Sequence, residues 1–286
     1  MTPDDVMIVV IAGLLSTSCA LLGSFLVLRR QALLPDAVSH AVLPGIVLVF
    51  LLTGDRGSAA TVLGATAFGV LCVAGSEWLR RTGVVASDAA LALAFPALFS
   101  LGVLGISAYA SGAHIDLDSA IYGDITFAPL RTVDVLGTTV PISLLATGLT
   151  AGCTVVFTVL LWRPLQTATF DPDFAELAGL RGELVGRMLL VVVVGTAVVA
   201  FDSLGAILVI TFFVVPAVTA RLLTRRLGTM LVVAVAAGWV SSLVGHRTAL
   251  VLDSSIAGTI GLTSGALFVL ALAWHRLFRG RASARA

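Results

Sequence analysis

No lysine occurs anywhere among the 286 residues, so all 17 basic side chains of the Lys and Arg class are arginine. A Gly-x-x-x-x-Gly-Lys-Ser/Thr loop, which needs its lysine to reach a nucleotide's phosphates, is therefore excluded. If ATP drives this chain, another chain hydrolyses it. Charge of either sign is scarce: 12% of residues, against ~25% in an average soluble domain. Hydrophobic residues reach 58% and the mean hydropathy is +1.08, which is the composition of a membrane protein. The net charge of +1 leaves no basic face for nucleic acid once the arginines are assigned to topology. Cys19, Cys72 and Cys153 lie inside apolar runs at no metal-ligand spacing, so no disulfide framework is expected and they read as small buried apolar side chains.

What the chain does have is long apolar runs. A bilayer's hydrocarbon core is ~30 Å thick and takes ~20 helical residues to cross. Runs of that kind lie near 6–28, 33–54, 59–79, 88–110, 134–162, 185–201, 203–224, 228–245 and 255–275. They predict an all-α polytopic membrane helix bundle of about nine spans in a single transmembrane domain, 1–286. The run 185–201 is short and abuts the next across Phe201-Asp202-Ser203, so eight spans plus a broken hairpin is the alternative count.

The arginines collect at alternate ends of these runs: Arg29 and Arg30, Arg80 and Arg81, Arg163, Arg181 and Arg187, Arg221, Arg225 and Arg226, and the group from Arg276 to Arg285. Arg56, Arg131 and Arg247 fall on the other side. The positive-inside bias then places the N-terminus outside and the C-terminus in the cytoplasm. Met1-Thr2-Pro3-Asp4-Asp5 is acidic and is followed by no Ala-x-Ala cleavage site, so the first span is expected to stay in the mature protein.

Within the second run stands Leu33-Leu34-Pro35-Asp36-Ala37-Val38-Ser39-His40-Ala41-Val42-Leu43-Pro44-Gly45. On a helix, Asp36 and His40 share one face, one turn apart, and form a carboxylate and imidazole pair suited to a divalent first-row metal ion. An ionisable pair within a span is a functional site by default. A snorkelling Asp36 is the structural alternative, because it lies only about 9 Å along the helix from Arg30. Pro35 and the Pro44-Gly45 pair interrupt the segment on either side, and broken helices at depth occur where they line protein or a wet cavity. Ser39 points to another face.

Between the fifth and sixth runs, Asp171 reads as an N-cap, Pro172 as the first helical residue and Gly179 as the residue past the end of a short helix within 170–180. Phe174, Leu177 and Ala178 form its apolar stripe. So short a helix is marginal in water alone, so it must pack on its own bundle or serve as a peg in a partner's groove. The outer loop 111–124 carries His114, Asp116, Asp118 and Asp124, ordinary solvated surface in the first instance. Pro44, Gly45, Pro96 and Pro216 are candidate gate or hinge positions, with Thr211 and Thr219 placed to re-satisfy freed carbonyls. His246, Asp253 and His275 read as interfacial residues.

Several of these segments together resemble the membrane-spanning subunit of a metal-type ATP-binding-cassette importer, the permease family that takes up manganese, zinc or iron. They are Gly23-Ser24-Phe25-Leu26-Val27-Leu28-Arg29-Arg30, Asp36 through Gly45, Tyr122-Gly123-Asp124-Ile125, Phe170-Asp171-Pro172 through Ala178-Gly179, and Leu204-Gly205-Ala206-Ile207-Leu208 through Pro216-Ala217-Val218-Thr219-Ala220. The resemblance runs nearly end to end, and its most specific part is Asp36 to Gly45. It implies a multi-pass protein of the plasma (inner) membrane and a second permease copy, identical or related, facing the first across a central path. It also implies a cytoplasmic ATP-binding subunit and an extracytoplasmic metal-binding protein. Asp36 and His40 match the family's metal-coordinating pair. The segment 170–180, with Asp171, Phe174, Glu176 and Leu177, matches its coupling helix. No permanently bound cofactor is implied; the metal is cargo, with Mn²⁺ expected and Zn²⁺ or Fe²⁺ as alternatives. The last outer turn, Leu252 to Gly258, lacks a proline common in relatives, and Phe95-Pro96-Ala97 replaces a more Gly-rich stretch.

Two other classes compete with this reading. An ion-gradient-driven metal transporter would use the same Asp and His without an ATPase, and a helix shaped for docking argues against it. A membrane-embedded metalloenzyme would need a cluster such as His-Glu-x-x-His, and the four histidines are scattered over four regions.

Overall fold

The computed structural model describes residues 2–54, 59–109, 125–128, 132–135 and 138–279. The elements are α1 (Pro3–Leu28), α2 (Leu34–Ala41), α3 (Leu43–Thr53), α4 (Ala59–Arg81), α5 (Ser87–Tyr109), a 3₁₀ turn (Ile125–Phe127), β1 (Thr132–Val135) and β2 (Thr138–Pro141). The second half continues with α6 (Ile142–Leu160), α7 (Trp162–Phe170), α8 (Pro172–Leu177), α9 (Gly182–Leu204), α10 (Ala206–Leu223), α11 (Leu227–Leu252) and α12 (Ile256–Trp274).

Among the described residues nine helical segments are long and apolar enough to cross a membrane, α2 and α3 counting together as one. The bundle and the span count follow the sequence expectation, and the eight-span alternative falls. α9 is 23 residues long, because the helix extends at both ends beyond the run 185–201. One boundary is corrected. The fifth apolar run, 134–162, is not one helix: its first residues pair as an antiparallel ribbon, Val133 opposite Val140 and Asp134 opposite Thr139. Thr132, Val133, Val135, Thr138 and Val140 are β-branched and suit a pleated strand, so hydropathy alone overextended the span. Loop residues 111–124 lie outside the described residues.

α1 is the axis of the bundle, packing against α6, α9, α10 and α11. Its sequence allows that because small residues recur along it. A Cβ on Gly23 would run into the Phe213 carbonyl oxygen of α10, and one on Gly13 would meet the Trp239 ring of α11 at 2.5 Å. Ser16 of α1 meets Gly238 of α11 in the same way. Such contacts bring backbones close where apolar burial gives no drive, since lipid is as apolar as leucine. Ser24 and Ser18 return their hydroxyls to the Ala20 and Leu14 carbonyls of the same helix, at 2.7 and 3.3 Å. Across the α1–α11 seam the Trp239 indole N–H donates to Thr17 Oγ1 at 3.0 Å.

α1 ends in a left-handed residue that is not glycine. Arg30 has φ of 59°, and the amides of Arg30 and Gln31 close back on the Val27 and Leu26 carbonyls at 3.2 and 2.8 Å, the Schellman pattern. Pro96 and Pro216 do not break their spans: each lies inside a continuous helix, α5 or α10. Nor do the threonines expected beside them answer the prolines. Thr211 and Thr219 bond the Ile207 and Val215 carbonyls at 2.8 and 2.7 Å, whereas Pro216 leaves Phe212, four residues back, without its amide partner. Cys19 and Cys72 are buried as expected; Cys153 is exposed on α6, and all three are free.

The close approach at Gly23 is testable. Gly23→Ala should lower the thermal stability of the purified protein by an overpacking cost of roughly 1–3 kcal/mol. Gly148→Ala, on α6 with open space around it, should leave the melting temperature unchanged or raise it. A thermal-shift series on both variants gives the comparison.

Candidate functional site

The break between α2 and α3 has a local cause. Pro44 has no amide hydrogen to offer the His40 carbonyl, and its ring crowds that carbonyl. The helix therefore stops at Ala41, turns through Val42 and restarts at Leu43 with Pro44 in its first turn. Pro35 likewise stands in the first turn of α2. The result is a helix of eight residues that starts just before Pro35 and stops short of Pro44, and Asp36 and His40 share its open side.

His40 Nε2 is 3.9 Å from Asp36 Oδ1, and the two side chains are 42% and 45% exposed. Both are thus reachable although Leu34, Ala37, Val38 and Ala41 around them are buried. Ser39 is turned away, 4% exposed, and its hydroxyl donates to the Asp36 carbonyl at 2.6 Å. Asp36 lies in the first turn of α2, where the helix dipole favours a negative charge. α2 itself packs against α4, α5, α9 and α10.

The imidazole has aromatic neighbours that sequence reasoning missed. Phe95 and Phe99 of α5 have ring centroids 5.9 and 5.7 Å from that of His40, Phe99 edge-on at 83°. They stand four residues apart and so share a face of α5; that spacing was the available signal. Together they limit the tilt of the ring and screen one side of it. Among the described residues no three His, Cys, Asp or Glu side chains converge. The pair by itself supplies one nitrogen and one carboxylate, half of a four-ligand site.

The segment after α7 forms as the sequence reading placed it. Asp171 caps α8, its Oδ1 accepting from the Phe174 amide at 3.0 Å, and Pro172 begins the helix. Gly179, at φ 71°, ends it: the amides of Gly179 and Leu180 bond the Glu176 and Ala175 carbonyls at 3.0 and 2.9 Å, again the Schellman closure. Ala175 is fully buried against Gly182, where a Cβ would sit 2.9 Å from the Ala175 methyl. The opposite face is bare. Phe174 is 57% and Leu177 89% exposed.

Polar contacts tie α8 to the bundle. Glu176 Oε1 accepts from the Glu183 amide at 2.8 Å, in the first turn of α9. The Glu183 carboxylate in turn meets Arg81 of α4 and Arg187 of α9, the latter at 2.7 Å. Arg29, just past α1, lies against Gly186 of α9. Burial lowers its guanidinium from the ordinary arginine value, with Glu77 acting in the other direction.

Of the remaining sequence candidates, Pro44 and Gly45 stand at the helix break, and Gly45 backs onto the Gly64 carbonyl of α4. The loop histidine and aspartates at 114, 116, 118 and 124 lie outside the described residues. His246 is fully buried within the bundle, and its Nε2 lies 3.2 Å from Asp5 Oδ1 in the first turn of α1. Asp5 caps the start of α1 together with Thr2, so this pair is a second polar link across the α1–α11 seam.

The model of the ABC 3 transport family matches residues 5–275. The chain is 41% identical over 263 residues to the zinc transport system membrane protein TroD of Treponema pallidum (strain Nichols), covering 92% of this chain and 72% of that one. It is 37% identical over 261 residues to the manganese transport system membrane protein MntD of Bacillus subtilis (strain 168), with 90% and 88% covered. Among solved structures, PsaBC from Streptococcus pneumoniae in complex with Fab superposes with a TM-score of 0.74 at 25% identity, over 92% of this chain and 89% of that one.

The Asp171 cap predicts a local effect. Asp171→Ala should cost about 1 kcal/mol of α8 stability, speeding hydrogen exchange at the Phe174 and Ala175 amides roughly fivefold. Exchange in the middle of α1 should not change.

Proposed function

The chain belongs to the ABC 3 transport family, and from that premise we propose that it is the permease of an ATP-driven importer of a divalent first-row metal ion, with Mn²⁺ the proposed cargo. It is a multi-pass membrane protein and a transport subunit. The observation that carries the cargo reading is the Asp36 and His40 pair, half-exposed on a short helix inside the bundle. A second copy, facing the first, would complete a site of two carboxylates and two imidazoles. That set has no thiolate, which suits Mn²⁺ while leaving Zn²⁺ and Fe²⁺ able to compete. Relatives named for zinc and for manganese bracket the same range.

The absence of lysine removes the phosphate-binding loop from this chain, so ATP would be hydrolysed on a separate cytoplasmic subunit. α8 supplies the docking peg: Phe174 and Leu177 outward, Ala175 inward, Asp171 and Glu176 fastening its two ends. An extracytoplasmic metal-binding protein would deliver the ion at the opposite end. In this arrangement the N-terminus is outside and the C-terminus cytoplasmic, since α8 and the arginine-rich helix ends share one side.

The chain's part in transport is to exchange the ion's water shell for fixed ligands and to release them when the helices shift. Asp36 must be ionised and His40 neutral to bind. Loading therefore weakens as pH falls.

Three measurements test the reading. Asp36→Asn or His40→Ala, inserted at wild-type levels, should abolish metal accumulation in cells that carry the other subunits; full uptake by either variant would remove the site from these residues. Phe174→Asp with Leu177→Asp should release the ATPase subunit on co-purification, while unchanged recovery would end the peg assignment. Metal content of the purified complex by mass spectrometry should show Mn²⁺ bound by the wild type and lost in His40→Ala, and zinc in its place would move the cargo.

A further inference from the structure

A lateral groove between α4 and α9 belongs neither to the Asp36 and His40 site nor to α8. The two helices touch at Gly69, where a Cβ would lie 2.6 Å from Val194 Cγ1, and they are joined again at their arginine-bearing ends by the Arg81 to Glu183 ion pair. Between these points they leave a cavity of about 370 Å³. Its walls are apolar, with Val73, Val191 and Val194 along the floor, and its mouth carries Trp78, Arg81 and Arg187 together with Glu77, whose carboxylate is paired with Arg80 and Arg81.

Two properties of this mouth, the placement of its indole and the spare donors of its arginines, point to one class of ligand. Trp78 is 67% exposed in the last turns of a spanning helix, where an indole is normally held at headgroup level. Arg81 and Arg187 are about half exposed, and both use the same oxygen of Glu183, so each retains N–H donors. Around them Arg80, Arg81 and Arg187 share the carboxylates of Glu77 and Glu183, and Asp88 lines the adjoining cavity beside Arg80. An apolar slot opening at an arginine-bearing, aromatic-edged rim matches an acyl chain beneath an anionic headgroup, and basic pockets between membrane helices bind such headgroups.

We propose that this groove binds an anionic phospholipid, one acyl chain lying on Val73, Val191 and Val194 and the phosphate held by Arg81 and Arg187. The ligand would then bridge α4 and α9 beside the Glu183 ion pairs. The site is independent of the cargo assignment, because no residue of it touches Asp36 or His40.

The test uses the delipidated full-length protein in detergent, titrated with palmitoyl-oleoyl phosphatidylglycerol or with the phosphatidylcholine of the same chains and followed by native mass spectrometry. The wild type should prefer phosphatidylglycerol by roughly thirtyfold, two arginines each contributing about fivefold at the membrane surface. Arg81→Gln with Arg187→Gln should bring the ratio close to one, and a preference that survives in the double variant overturns the proposal. Val191→Trp, which fills the groove without touching an ion pair, should reduce the adducts of both lipids while keeping their ratio. Unchanged adducts in that variant also overturn it. Finally, Trp78→Cys in a Cys153→Ser background should not cross-link between copies; quantitative cross-linking would place a second chain in the groove and exclude lipid from it.

Discussion

Every backbone amide and carbonyl that crosses hydrocarbon must find its partner inside the protein, and an unmet one costs several kcal/mol. This constraint decides where the chain is allowed to break. The interruptions at Val42 and Gly205 lie where helices are packed on several sides, and both flanks of each are buried. At Val42 the break is forced by Pro44, yet the neighbouring amides still bond: Val42 to the Val38 carbonyl and Ile46 to the Val42 carbonyl, both at 3.1 Å. A short helix is thereby isolated without exposing a line of open polar groups. The two ionisable residues of α2 are on that isolated piece, so the same proline that ends the helix gives the pair its own rigid mount.

The rest of the bundle divides into a tight half and an open half. α1, with α10 and α11, is drawn together by glycine and serine contacts and pinned by Trp239 to Thr17 and by His246 near Asp5. By contrast α4 and α5 are only 22% and 11% buried within the chain. Apolar helices left that bare are finished by lipid or by another protein chain, and the two proposals assign one surface to each: the lateral groove to lipid, the open side of α2 and α5 to a second copy. The proposed cargo site, with two ligands from each of two copies, would require that second surface to remain open.

How much of this was legible in the sequence varies with the range of the interaction. Local signals translated directly: Asp171, Pro172 and Gly179 bracket α8 through contacts three to five residues apart, and the i, i+4 spacing of Asp36 and His40 needs nothing beyond the helix itself. Hydropathy counted the spans but misjudged 134–162, since valines raise hydropathy whether they pair as strands or wind as helix. What escaped was long-range. His246 meets Asp5 across 241 positions and Arg81 meets Glu183 across 102. A histidine buried against a neighbouring helix and one facing outward look alike in sequence, because burial depends on which helix lies opposite.

The Glu183 contacts decide how motion of α8 would reach the cargo site in the proposed transport cycle. Exposed ion pairs contribute only about 0–1 kcal/mol each, too little for the purpose of this cluster to be stability. Their effect is positional. Glu176 holds the start of α9, Glu183 joins α9 to α4 through Arg81, and α9 and α4 both pack on α2. Ala175 seated on Gly182 leaves no slack between α8 and the helix it would move. A displacement of the proposed peg would be passed first to α9 and, through Arg81, to α4, two of the helices packed on the Asp36 and His40 mount. In the proposed cycle, the short helix, the ion pairs and the helices packed on α2 would form one contiguous path of contacts from the docking face to the Asp36 and His40 pair.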